Sequence, residues 1–420
     1  MSEPNGRPMC RQHGPTTRSS WLFLGNQGGP CDLSCLHCFY FHESPLVFFD
    51  ARTLLWMANK FRHYYGCNAT DITGGEATIY CDPALTKQGL QHRMPDGRNQ
   101  HLEYLVEHCA GIGLAPSIIT HGQNLTESMV KVIEDRGLDT WEISFHGLGE
   151  LDGKKLGDGH KRLVRVGSRK GTGPKEVEGG FQKMMDGARH CTRPLRCNAT
   201  VVEQTYRELP ALAIFLLEHF CPGANGVMKV FNMIQFMPYH THATKDADFQ
   251  VKYTDAAPFI AEAVEIMEAS GVEVNVRYFP PCIGHNYGFG RNCLMHYQIQ
   301  RDPWEWAYES TVHAVLPIAW SAVRDGSASE QDFWDQAARL RTKICDQHAR
   351  HRHPYSPVCG ECAARKVCEG PDRQYAKRWD VSSELIPFTA EMLGMPNDGV
   401  TYDPNVFLNL SPGKSVEVEA

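Results

Sequence analysis

Residues 21–280 alternate short apolar runs with helical segments, and this rhythm restricts the fold more than any other feature. The runs are WLFLGN (21–26), ATDITGG (69–75), PSIITHG (116–122), TWEISFHG (140–147), LRCNATVV (195–202), VMKVFNMIQFMP (227–238) and VEVNVRYF (272–279). Between them, helical spacing covers 51–65, 102–113, 126–137, a stretch near 181–190, 208–220 and 256–271. About six βα units of this length predict a parallel sheet with helices outside, closed or partly closed as a barrel. The active site of such a barrel lies at the carboxyl ends of its strands.

Side chains alternate faces along a strand. Glu142, Ser144 and His146 therefore share one face, and Trp141, Ile143 and Phe145 the other. Likewise Arg196, Asn198 and Thr200 oppose Cys197, Ala199 and Val201. A parallel sheet buried on both faces reads as almost continuous apolar residues, so a polar face predicts a lined interior. Residues 148–180, with eight Lys/Arg and five Asp/Glu among many glycines, are expected to form a long loop without regular structure, leaving the active-site end as a lid or docking segment.

Sixteen cysteines are many for such a chain, and clustered cysteines point to metal or redox chemistry. Cys31, Cys35 and Cys38 stand as C-x3-C-x2-C in GNQGGPCDLSCLHCFYF, on a Gly/Pro loop directly after the first strand. Three thiolates hold three corners of a 4Fe–4S cluster and leave the fourth iron open to another ligand. Cys282, Cys293, Cys345, Cys359, Cys362 and Cys368 form a second group in the last third, while Cys10, Cys67, Cys81, Cys109, Cys191, Cys197 and Cys221 are expected as small packing residues.

The first motif, together with TGGEAT (73–78) after the second strand, resembles the radical S-adenosylmethionine (radical SAM) superfamily; Ala77 stands where that family usually has proline. The resemblance covers roughly residues 18–280. It implies an α/β fold, a partial (β/α)6 TIM-like barrel, that binds a 4Fe–4S cluster and S-adenosylmethionine (SAM). Gly74, Gly75 and Glu76 would contact the SAM amino group. Ser144 and Asn198, with Arg196 behind them, would contact its carboxylate and ribose. The adenine would lie near His37, Phe39, Phe236 and Met237. The implied chemistry is reductive cleavage of SAM to methionine and a 5′-deoxyadenosyl radical, which takes hydrogen from a substrate. An electron donor such as flavodoxin or ferredoxin would be a partner.

VCGECAARKVCEGPD (358–372), with Cys282 and Cys293 upstream, resembles the C-terminal SPASM or twitch domain of many such enzymes, which carries auxiliary 4Fe–4S clusters. The full pattern has a cysteine where this chain has Asp372, and no cysteine follows Cys368. We favour one auxiliary cluster on Cys359, Cys362 and Cys368, with Cys282 ahead of Cys345 and Cys293 as fourth ligand. Two clusters using Asp372, or a zinc site on Cys345, Cys359, Cys362 and Cys368, are the alternatives. The expected organisation is a polar segment 1–20, a core barrel 21–280, an auxiliary iron–sulfur domain 281–380 and a polar tail 381–420.

His121 and His146 end strands at the expected barrel mouth and, with Glu142 and Asp71, are candidates for substrate contact or proton transfer. The remaining histidines are expected at the surface or in supporting positions. A net charge of −7 gives no basic balance for nucleic acid, and no apolar run or apolar N-terminal core indicates a membrane span or secretion signal. The expectation is a soluble cytoplasmic enzyme acting on a peptide or protein, by crosslinking, thioether formation or oxidation. The alternative is dehydrogenation or epimerisation of a small polar molecule such as an aminocyclitol or sugar. Only about 20 residues precede the first strand, so a peptide-recognition domain is expected on a separate chain.

Overall fold

The computed structural model describes residues 19–25, 29–38, 47–63, 67–166, 175–176, 178–221, 226–236, 249–294, 323, 326–329, 331–332, 356–362 and 370–389. In chain order the elements are β1 (Ser19–Phe23), α1 (Ala51–His63), β2 (Ala69–Thr73), α2 (Pro83–Lys87), α3 (Gln100–Gly111), β3 (Ala115–Thr120), α4 (Glu127–Asp135) and β4 (Thr140–Ser144). Then come β5 (Glu150–Leu151), β6 (Lys154–Lys155), α5 (Gly159–Leu163), β7 (Arg165–Val166), β8 (Lys175–Glu176) and α6 (Gly180–Arg189). The series continues with β9 (Leu195–Val201), α7 (Leu209–Phe220), β10 (Met228–Gln235), α8 (Tyr253–Ala269), β11 (Glu273–Arg277), α9 (Pro281–Asn286) and α10 (Gly290–Leu294).

Seven strands make one sheet in the order β1-β2-β3-β4-β9-β10-β11, every neighbouring pair parallel. Six βα units followed by a last strand thus form a partial barrel. Across the opening, the Arg277 guanidinium of β11 lies 5.9 Å from the centre of the Trp21 ring of β1, a cation–π contact between the two edge strands.

Strand parity decides which face meets the helices. Ile72, Ile118, Trp141, Ile143, Cys197, Ala199, Phe231, Met233, Val274 and Val276 are all fully buried in the apolar core. Each Ile, Val, Phe or Met among them removed from water stabilises the fold by roughly 1.5–3 kcal/mol. The opposite face carries Asp71, Ser117, Glu142, Arg196, Asn198, Asn232 and Asn275, all buried and joined by hydrogen bonds. The polar interior expected from parity is present, with Trp141 turned outward to donate from Nε1 to Glu134 of α4 at 2.9 Å.

Side-chain caps start α3 and α4. Thr126 Oγ1 accepts the Met129 N–H at 3.2 Å at the start of α4, and Asn99 accepts from His101 and Leu102 at the start of α3. Each cap is worth about 1 kcal/mol.

Two expectations change. Residues 148–180 are not structureless: β5 and β6 form one antiparallel pair, β7 and β8 another, with α5 between them. The charge-rich composition hid the apolar pair Leu163 and Val164, which packs with Leu33, Val202 and Phe236 against Cys31 and Cys35. The segment 381–389, expected as polar tail, buries Val381, Leu385 and Phe388. It joins the helix Arg373–Arg378, whose Tyr375 stacks on Tyr253 of α8 at 3.8 Å and donates its hydroxyl to Glu384 at 2.9 Å. Among the described residues no helix is long and apolar enough to cross a membrane.

Candidate cofactor site at the barrel mouth

The loop 29–38 leaves β1 and crosses the carboxyl end of the sheet. Two neighbours fix its backbone. Glu76 N–H donates to the Pro30 carbonyl at 2.9 Å, and Ser34 and Leu36 N–H donate to Arg165 and Leu163 of the insertion at 2.7 and 2.9 Å. Gly75 permits this approach. Its φ is +60°, and a Cβ there would sit 2.0 Å from the Pro30 oxygen. The glycines of TGGEAT are therefore the surface on which the cysteine loop rests.

Cys31, Cys35 and Cys38 are all partly buried on this loop. Burial, followed by the Glu76 carboxylate, drives the Cys31 thiol well above its ordinary range. Burial, then the neighbouring Cys38, pushes Cys35 to about 12. Thiolates are unfavourable there unless a cationic centre faces them. A donor set of three thiols on one braced loop fits an iron–sulfur cluster with one iron left for another ligand.

Beside it, Glu76 is buried and its carboxylate is fully engaged. Oε1 accepts Thr78 N–H (3.0 Å), Thr78 Oγ1 (2.7 Å) and Thr120 Oγ1 (2.6 Å); Oε2 accepts His121 N–H at 2.9 Å. His121 Nε2 lies 2.9 Å from Asp32 Oδ1 and 3.2 Å from Glu76 Oε2. Gln123 N–H donates to His121 Nδ1 at 3.1 Å, which places the ring proton on Nε2, between the two carboxylates. Burial lowers the proton affinity of His121, but Glu76 and Asp32 outweigh it and the net shift is upward. Burial alone would raise Asp32; the bonds from His121 and Asn124 instead bring it to about 2. Cys31, Asp32 and His121 offer donor atoms within 4.8 Å of one another, but the histidine and carboxylate already satisfy each other.

His146 stands beyond Ser144 at the end of β4. Its Nδ1 accepts Thr200 N–H at 3.2 Å, so Nε2 carries the proton. Its ring meets His37 edge-on at 4.1 Å. His160 of α5, expected at the surface or in a supporting position, is buried at 5% exposure. Neither its ring nitrogens nor His37 Nδ1 finds a partner among the described residues. Burial first, then repulsion from neighbouring rings (His160 on His37, His121 on His160, His37 and His160 on His146), holds all three neutral: His37 and His160 fall to about 4, and His146 falls well below its ordinary value. Buried orphan nitrogens of this kind are rare in folded proteins. They mark a surface that a polar ligand would complete.

Below the mouth the interior is already paired. Arg196 bridges Asp71 at 2.7 Å and Glu142 at 3.1 Å. Asn198 Nδ2 donates to Glu142 Oε1 at 2.6 Å, Asn232 to Asn198 at 2.7 Å, and Asn275 to Asn232 at 3.0 Å. Glu142 and Arg196 thus hold the floor together, whereas Ser144, opposite Asn198 in register, is only partly buried. Phe236 is buried against Leu33; Phe39 and Met237 lie outside the described residues. Asp32, Thr78, Thr120 and Asn124 escaped the sequence reading. Asp32 and Thr78 gave a signal only as members of the two quoted motifs.

In the second cysteine group, Cys282 at the start of α9 lies close enough to Cys359 and Cys362 to feel their charge. With burial the larger cause, its thiol is pushed to about 11. Cys293 is buried in the apolar core, packed beneath Gly284 of α9. Asp372 Oδ1 caps the helix Arg373–Arg378 by accepting from Gln374 and Tyr375 N–H. Cys345 and Cys368 lie outside the described residues.

No protein-family model matches the chain, and no curated protein matches it. Solved structures do. SuiB of Streptococcus suis bound to S-adenosylmethionine superposes with a TM-score of 0.51 at 14% identity, over 91% of this chain and 77% of that one. The core shares its fold with this SuiB structure. SuiB bound to its precursor peptide SuiA gives 0.49 at 14% identity, over 91% and 76%. In a further SuiB structure, at 0.41 and 16% identity, the match covers 64% of this chain and 49% of that one, so there the chain spans about half the length of its counterpart.

Proposed function

We propose that this chain is a radical SAM enzyme whose cluster is held by Cys31, Cys35 and Cys38. One observation carries the reading: three thiols on a loop at the carboxyl end of a partial barrel, braced on Gly75 and on the Glu76 backbone. When bound, a 4Fe–4S cluster there supplies the electron that cleaves SAM to methionine and a hydrogen-abstracting 5′-deoxyadenosyl radical. The protein's part is positional. Gly74, Gly75 and Glu76 shape the wall that receives the SAM amino group, and the engaged Glu76 carboxylate keeps that wall and His121 rigid. Ser144 and Asn198, with Arg196 behind them, line the side for its carboxylate and ribose. His37 and Phe236 form the adenine side; Phe39 and Met237, expected with them, lie outside the described residues. The insertion, bonded to the cysteine loop, excludes water from the radical. His146, with Nε2–H directed away from β9, contacts the substrate or moves its proton. His121 and Glu142 hold supporting positions. A flavodoxin or ferredoxin supplies the electron.

We assign the substrate to peptides or proteins. SuiB, which shares this fold, is itself seen with a precursor peptide, and a second cluster beside the substrate gives an oxidative modification an electron acceptor. That second cluster uses Cys282, Cys359, Cys362 and Cys368, since Asp372 is taken by its helix cap. Iron analysis of reconstituted protein should then give about eight irons per chain, four in each of two clusters. About twelve would favour a third cluster, and about four with one zinc would restore the zinc alternative. The substrate class is tested with deuterated candidates: deuterium entering 5′-deoxyadenosine from a labelled peptide supports the assignment. Transfer from an aminocyclitol or sugar alone refutes it.

A further inference from the structure

The short strap Leu385–Phe388 has no cysteine and lies beyond the last cysteine of the chain, yet it closes over the second thiol group. Phe388 N–H donates to Cys362 Sγ at 3.3 Å. Ile386 stands two residues before Phe388. Pro387, between them, cannot donate and stiffens the segment. The strap is anchored at both ends. Leu385 and Phe388 are buried, and the Phe388 ring meets His285 of α9 edge-on at 5.3 Å. Glu384, just before it, accepts the Tyr375 hydroxyl. A backbone amide is thereby aimed at a sulfur of the second thiol group.

An N–H directed at sulfur stabilises negative charge there. Reducing an iron–sulfur cluster adds negative charge that its sulfurs share, so hydrogen bonds to sulfur and exclusion of solvent help set the potential. We propose that the strap is a potential-setting element of the auxiliary cluster, its Phe388 amide raising the midpoint above that of the same cluster without it. This rests on the auxiliary-cluster reading given above.

The test uses the full-length chain with Cys31, Cys35 and Cys38 replaced by Ala, so that only the second site contributes. Iron content is read first. About four irons per chain upholds the cluster, whereas one zinc without iron overturns that reading and the strap's role with it. The midpoint potential is then followed by electron paramagnetic resonance for Phe388→Ala, which keeps the amide, and Phe388→Pro, which removes it. The proposal expects Phe388→Pro to lie at lower potential than Phe388→Ala at equal iron content. Equal potentials overturn it. If Phe388→Pro does not fold, pulsed measurements on the reduced cluster after exchange into deuterated water decide. Exchangeable deuterons coupled to the cluster support the strap, and their absence refutes it.

Discussion

Replacing Gly75 with Ala is expected to empty the cysteine loop of iron while leaving the barrel folded. The added Cβ would sit 2.0 Å from the Pro30 oxygen and 2.5 Å from the Gly29 oxygen, both backbone atoms that no rotamer change can move. A positive φ adds strain of order 1 kcal/mol. The loop must lift, breaking the Glu76 N–H bond to Pro30 and shifting Cys31 relative to Cys35 and Cys38. Iron should fall from about eight to about four per chain, with circular dichroism unchanged. Gly89→Ala is the control: φ is also positive, at +92°, but nothing lies within 4 Å of the new Cβ. Full iron content in Gly75→Ala would contradict the bracing role.

Replacing Arg196 with Met is expected to give the largest loss of stability. Arg196 is 2% exposed and lies 2.7 Å from Asp71 and 3.1 Å from Glu142. Removing it leaves two carboxylates facing each other without a cation, at a cost of about 3–5 kcal/mol. Lys should restore little, since one ammonium cannot reproduce the fork that serves both acids. Arg136 and Glu107 are also close, at 2.6 Å, but both are substantially exposed. Arg136→Met should therefore cost less than about 1 kcal/mol. Denaturant unfolding of the two variants measures the contrast.

The sheet was legible because its strands are nearly uniform in hydrophobicity outward and polar inward, and parity needs no tertiary information. The interior ladder followed from the same alternation, although its pairing did not: that Arg196 serves Asp71 and Glu142 depends on which strands are neighbours. The insertion was misjudged because its composition is that of a loop, while its order comes from non-local bonds to residues 34 and 36. Asp32 and His160 escaped for a related reason. A lone charged or titratable residue carries no period, and its role appears only when His121 or the barrel mouth is brought to it. Glu76 was read as part of a ligand-contacting motif. Its carboxylate also holds Thr78, Thr120 and His121, and the glycines before it set the approach of the loop, neither of which the motif alone announces.

The central claim is that Cys31, Cys35 and Cys38 hold the centre that cleaves SAM, and one assay tests it directly. Anaerobically reconstituted protein, reduced with dithionite and given SAM, is analysed for 5′-deoxyadenosine. The account predicts that the wild type forms it and that the variant with all three cysteines replaced by Ala forms none, while keeping the iron of its second site. Equal formation by both proteins, or none by a wild type carrying its full iron, would contradict it.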